Sequence, residues 1–255
     1  VMFVKYLSDS YTDAVEELSK QYSGIRLERQ KKYLPFMVAE GCSFYDLYQQ
    51  RFADNIGQLM NAAMRQIEAD NNQQLAGVLS AVDYNSENAL GTREHKNAIL
   101  RDLLEDFEPL DLRPSAIEVK EGQVPADVIG DAYEYMIGQF ASMAGKKAGS
   151  FYTPAAVSEI MARIVDVQPG ERVYDPTCGS GSLLIKAAKK QNSKEVSIYG
   201  QEVNGSSVAM AKMNMYIHEI RDAKIGWGDT LANPVFLDAD GNLLLFDAIV
   251  ALSLI

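Results

Sequence analysis

The chain has 255 residues, 47% of them hydrophobic and 23% charged, an ordinary balance for a globular protein of one large domain or two smaller ones. Its net charge of −11 argues against a stand-alone nucleic-acid binder working through a basic overall field, so any phosphate contacts would be local or supplied by a partner. Two cysteines, Cys42 and Cys178, cannot build a disulfide framework, and no zinc-ligand spacing, signal peptide or bilayer-length apolar run is present, so a cytoplasmic protein is expected.

The sequence opens mid-pattern on Val1-Met2-Phe3-Val4, which suggests an internal fragment or a trimmed chain. Its first half has helical periodicity. Residues 12–22 read as a helix, and in 56–67 the apolar positions 56, 59, 60, 63, 64 and 67 form one face of another. Residues 96–107 read the same way, followed by Pro109, and 131–141 (DAYEYMIGQFA) is a further apolar-striped helix. Nothing before residue 150 alternates as a strand. The small, basic, glycine-flanked stretch 142–149 reads as a linker. A helical domain over 1–147 and an α/β domain over 148–255 are therefore expected.

After the linker, strands and helices alternate. Thr153 is read as an N-cap with Pro154 at the first helical position, ahead of a face of Val157, Ile160, Met161, Ile164 and Val165. Residues 172–174, 196–200 and 224–227 read as strands, with helices over 181–190 and 206–220 between them. Asp240-Gly241 is a turn, and the near-continuous apolar run 243–250 suggests a strand buried on both faces of a parallel sheet. This order predicts a repeated β-α-β unit.

The chemistry centres on Asp175-Pro176-Thr177-Cys178-Gly179-Ser180-Gly181-Ser182, a strand end, a glycine turn and a helix start. Glycines at 179 and 181 let backbone approach a ligand closely. A dinucleotide fingerprint would want a third glycine where Leu184 stands, and no phosphate-loop Lys-Ser/Thr follows, so NAD and a P-loop are disfavoured; together with Glu202 and Asp229 the segment looks like an S-adenosylmethionine site. Asp175 could take the cofactor's ammonium group. Glu202, ending the next strand, could accept from both ribose hydroxyls, and Asp229, after the third, from the adenine amino group. Trp227 either walls an adenine pocket or belongs to the core. Cys178 has no nearby histidine and reads as a small turn residue rather than a nucleophile. His95 and His218 read as structural or solvated, the methionines from 210 to 215 as core, and Lys146 and Lys147 as a solvated loop, with contact to a phosphate or closure over the site as the alternative.

These segments resemble the modification (methyltransferase) subunit of type I restriction–modification systems. The resemblance rests on Phe3-Val4-Lys5-Tyr6-Leu7-Ser8-Asp9, Gly130-Asp131-Ala132-Tyr133-Glu134-Tyr135 and Gly149-Ser150-Phe151-Tyr152-Thr153-Pro154, in that order before the glycine turn. It implies a helical N-terminal domain followed by a partial Rossmann-like S-adenosylmethionine-dependent sheet. It also implies transfer of the sulfonium methyl to adenine N6 in DNA. Tyr152, Thr153 and Pro154, with Asp175, Thr177, Gly179, Ser180 and Gly181, would hold the methionine part, Glu202 the ribose and Asp229 the adenine. The implied partners are a specificity subunit, a second modification subunit, a restriction subunit and duplex DNA.

The family's catalytic loop, Asn/Asp-Pro-Pro-Phe/Tyr, should follow a strand that Phe246-Asp247-Ala248-Ile249-Val250-Ala251 matches, but Leu252-Ser253-Leu254-Ile255 stands there. An altered tail, or a segment joined from elsewhere, would each leave this polypeptide without methylating activity. A methyltransferase acting on protein glutamine or RNA, and a catalytically dead interaction module, remain as alternative readings.

Overall fold

The computed structural model describes residues 1–144, 152–189 and 195–252, and the chain divides into two compact units, Val1–Pro125 and Ala126–Ile255. The division falls on the N-terminal side of the 142–149 composition break. No described helix is long and apolar enough to cross a membrane.

The first unit is helical: α1 (Met2–Ser19), α2 (Gly24–Lys31), α3 (Phe44–Gln49), α4 (Ile56–Asp70), α5 (Asn72–Leu75), α6 (Glu87–Leu90) and α7 (Arg93–Phe107). The stripe expected in 56–67 is the buried face of α4, through Ile56, Met60, Ala63, Met64 and Ile67. A helix expected over 12–22 instead begins at Met2, and the buried half of α1 is its first turns. The Phe3–Asp9 string hides two charges one helical turn apart. Lys5 and Asp9 are both fully buried, with Lys5 Nζ 2.8 Å from Asp9 Oδ2. Tyr45 donates its hydroxyl to Asp9 at 2.7 Å, and the Leu112 amide donates to the same carboxylate at 2.8 Å. A buried ion pair is tolerated when its remaining hydrogen-bonding capacity is met in this way. Ser43 opens α3 with a capping box to Asp46.

The second unit runs α8 (Pro125–Ala144), α9 (Ala155–Val165), β1 (Arg172–Asp175), α10 (Ser182–Lys189), β2 (Ser197–Glu202), α11 (Gly205–Ile217), β3 (Lys224–Trp227) and β4 (Ala248–Ile249). The sheet order is β3-β2-β1-β4, every pair parallel. Val173, Leu184, Ile185, Ile198, Met215 and Val250 are among the residues of one continuous core beneath it. This is the α/β fold expected from the alternating elements.

Three local expectations are corrected. Pro154, not Thr153, is the N-cap of α9, and its carbonyl accepts from Val157 N and Ser158 N. Proline's missing N–H costs nothing at a position ahead of the first turn, so the boundary moves by one residue. The buried face of α9 is Ser158 and Ala162 with Met161 and Val165 partly covered, while Ile160 and Ile164 are exposed. Last, the run 243–250 is not buried on both faces. Its residues alternate, with Leu244, Phe246, Ala248 and Val250 turned inward and Leu243, Leu245 and Ile249 exposed. Its first part bridges back to Leu237 across the Gly241 turn, so only Ala248–Ile249 joins the sheet, at its edge. Inward Phe246 stacks on Tyr174 at 4.5 Å. The calls on Lys146, Lys147, Phe151 and Ser253–Ile255 lie outside the described residues.

Candidate functional site

Parallel pairing fixes where the three carboxylates lie. Asp175 ends β1 and is in register with Gly200; Glu202 ends β2 and is in register with Trp227, the last residue of β3, and Asp229 follows two residues later. All three therefore sit at the carboxyl edge of adjacent strands, where open α/β sheets place their ligands.

Asp175 is 2% exposed, and its Oδ1 accepts from the Thr177 amide at 2.9 Å. Burial pushes its carboxyl up to about 7, the Thr177 hydrogen bonds pull it back, and nearby Glu202 adds a further upward push. The chain then turns through Gly179 (φ +53°) and Gly181 (φ +79°) into α10. A side chain at 181 would be strained by that φ and would also approach Met215 Cε at 2.9 Å. Gly179 N donates to Glu202 Oε2 at 3.0 Å and Asn204 N to Glu202 Oε1 at 2.8 Å, so both oxygens of this buried carboxylate are aimed by backbone. Ser180 is buried. Its hydroxyl lies 3.1 Å from that of Ser182, and its carbonyl accepts from Asn214 Nδ2 at 3.1 Å. Asp229 is exposed, and its Oδ1 accepts from Leu231 N at 2.9 Å and Ala232 N at 3.2 Å, the turn role that a Gly-Asp pair often has.

Tyr152 and Thr153 are half-buried and, with Ser182 next to the glycine turn, line a cavity of about 370 Å³. Tyr152 is admitted by Gly138 of α8, where a Cβ would lie 3.0 Å from its hydroxyl. Pro154 is exposed and serves the α9 cap.

Two family models match. N-6 DNA Methylase covers residues 124–252 and the HsdM N-terminal domain covers residues 1–107. The chain belongs to the N-6 DNA methylase family. It is 31% identical over 92% of its length to the type I restriction enzyme MjaVIII methylase subunit of Methanocaldococcus jannaschii, covering 40% of that protein. It is 39% identical over 54% of its length to the MpnII methylase subunit of Mycoplasma pneumoniae, covering 26% of it. The type I restriction–modification methyltransferase subunit from Streptococcus thermophilus superposes with a TM-score of 0.73 at 26% identity, over 98% of this chain and 56% of that one. The chain thus spans less than half the length of these two sequence relatives.

Within this methylase-family sheet, Cys178 is a packing residue. It is 6% exposed and sits against Gly200, where an added Cβ would lie 2.9 Å from its sulfur. His218 is buried, and burial lowers its imidazole to about 3, so its 3.7 Å approach to Glu134 Oε1 is not an ion pair. Trp227 is 70% exposed rather than core, its indole N–H donating to Val203 O at 3.0 Å.

The sequence reading missed Gln201. It is fully buried, its amide donates to Gly228 O at 3.2 Å and Asn233 O at 2.9 Å, and its Oε1 accepts from Val235 N at 3.1 Å. It thereby braces both ends of the loop that carries Asp229. A polar residue inside an otherwise buried parallel strand was the available signal, because such a group must be hydrogen-bonded.

Proposed function

We propose that the chain is the cofactor-binding part of a type I restriction–modification methyltransferase subunit that uses S-adenosylmethionine and directs methylation to adenine N6 in DNA. The observation that carries this reading is the pair of buried carboxylates, Asp175 and Glu202, flanking a left-handed glycine turn at the carboxyl edge of the sheet. The donor set suits the group. Asp175, costly to ionise alone, gains a counter-ion in the ligand's ammonium. Each Glu202 oxygen takes one backbone N–H and keeps acceptor capacity for a ribose hydroxyl. Asp229 would accept from the adenine amino group, and Tyr152, Thr153, Thr177, Ser180 and Gly181 would hold the methionine part. When bound, the cofactor supplies the electrophilic sulfonium methyl, and the protein supplies position and electrostatics. The target adenine reaches the site by rotating out of the duplex.

Sequence recognition belongs to a specificity subunit, in an assembly with a second modification subunit and a restriction subunit. The relatives' names and the acidic charge of −11 support that division of labour. Residues 252–255, Leu-Ser-Leu-Ile, offer no side-chain amide or carboxylate to orient N6, so this polypeptide binds cofactor without transferring its methyl.

Co-purification with a specificity subunit, followed by methyl transfer from tritiated cofactor to unmethylated and half-methylated duplexes, tests this. The expected result is a stable complex that retains cofactor and incorporates no label. Label in DNA would contradict the silent loop. Label in RNA or protein would contradict the substrate, and failure to hold either subunit or cofactor would contradict the whole reading.

A further inference from the structure

The Gly130–Tyr135 string lies on α8, far along the chain from the glycine turn. Its Asp131 and Glu134 nevertheless share the cavity of about 370 Å³ with Tyr152, Thr153, Ser182 and Lys186. Lys186 Nζ is 3.3 Å from Glu134 Oε2, with the two side chains 20% and 11% exposed. Glu134 Oε1 is buried without a hydrogen-bond partner among the described residues. The neighbouring lysine of α10, Lys189, pairs instead with Asp127 at 2.7 Å and does not line the cavity. Among the described residues, Lys186 is thus the cation that lines this cavity, one helical turn past Ser182 and the glycine turn.

We propose that Lys186 receives the α-carboxylate of the cofactor's methionine, with Glu134 as the positioning residue that holds it there. The inference rests on the S-adenosylmethionine reading above. The amino-acid end of that cofactor is a zwitterion. Asp175 serves its ammonium, and the carboxylate needs a cation within hydrogen-bond reach in a partly buried cavity. A lysine ammonium has three N–H donors, so Lys186 can serve the ligand and Glu134 together. Burial raises the Glu134 carboxyl, and Lys186, which hydrogen-bonds it, is the largest influence offsetting that. The DAYEY helix thereby acquires a role: it selects for the amino-acid end of the cofactor.

Calorimetric titration of the 255-residue chain with S-adenosylhomocysteine and with 5′-methylthioadenosine, which lacks the amino-acid end, tests this. Lys186→Met should weaken the first ligand about tenfold or more and leave the second within about twofold. Because that variant strands Glu134 as a buried unpaired charge, the double variant Lys186→Met/Glu134→Gln, which removes both charges, should show the same selective loss. Lys186→Arg should retain most of the preference. Unchanged affinity for S-adenosylhomocysteine, or equal loss of both ligands in the double variant, overturns the proposal, as does a wild type that binds both ligands equally. A wild type that binds neither overturns the cofactor reading and this inference with it.

Discussion

The affinity for S-adenosylhomocysteine is expected to fall roughly 100-fold as the pH is lowered from about 7.5 to about 5. The cause is Asp175, whose carboxyl burial holds at about 7 in the folded chain. Only the ionised form can pair with the ligand's ammonium, and below that pH the ionised fraction drops about tenfold per unit. Stability of the unliganded chain has the opposite sign. A carboxyl with a folded pKa raised above its ordinary value of 3.8 binds the extra proton in the native state, so its contribution falls as pH rises from about 4 to about 7. The full span is worth about 4 kcal/mol as an order of magnitude. His218, lowered to about 3 by burial, works the other way, its contribution being lost as pH falls below its ordinary 6.5. Asp175→Asn separates the two. It should flatten the pH dependence of binding and leave the His218 part of the stability profile in place. A binding profile in the wild type that is flat over this range would remove Asp175 from the ammonium role.

Gly130→Ala is expected to destabilise the second unit by about 2 kcal/mol or more, net of the roughly 1 kcal/mol that alanine gains in helix propensity. A Cβ at 130 would lie 2.0 Å from His218 Cε1 and 2.4 Å from Nδ1, and the ring is buried, so it has no solvent to swing into. This is the physical reason for glycine at the head of the Gly130–Tyr135 string: helix α8 passes directly over the imidazole. His218→Ala should open the space, so the double variant Gly130→Ala/His218→Ala should recover much of the loss in a double-mutant cycle by urea unfolding. Additive losses would show that the two residues are not coupled.

Much of the fold was legible because the relevant signals are local. The Ile56–Ile67 stripe, the β-α alternation after the linker and the Asp175–Ser182 turn each declare themselves within a dozen residues. The placement of Asp175, Glu202 and Asp229 at one edge follows once the strands are parallel and adjacent, which the alternating order implied. What the sequence concealed is what tertiary packing decides. Lys5 and Asp9 are charged residues whose full burial no local pattern announced. Ile160 and Ile164 look like core and are exposed. The 243–250 run looks buried on both faces, yet it lies at the edge of the described sheet and alternates. Gln201 gave no motif because its partners, Gly228, Asn233 and Val235, are distant in sequence. Glu134 and Lys186 stand far apart in the chain, so only the packing of α8 on α10 shows them as a pair.

The central claim is that the 179–181 turn and the carboxylates beside it cradle a sulfonium nucleoside. Isothermal titration of S-adenosylmethionine into the chain tests it most directly, with Glu202→Ala as the comparison. The account predicts one site per chain with a Kd on the order of micromolar, weakened at least about tenfold by the substitution. No heat at millimolar cofactor, or binding that Glu202→Ala leaves untouched, would contradict it.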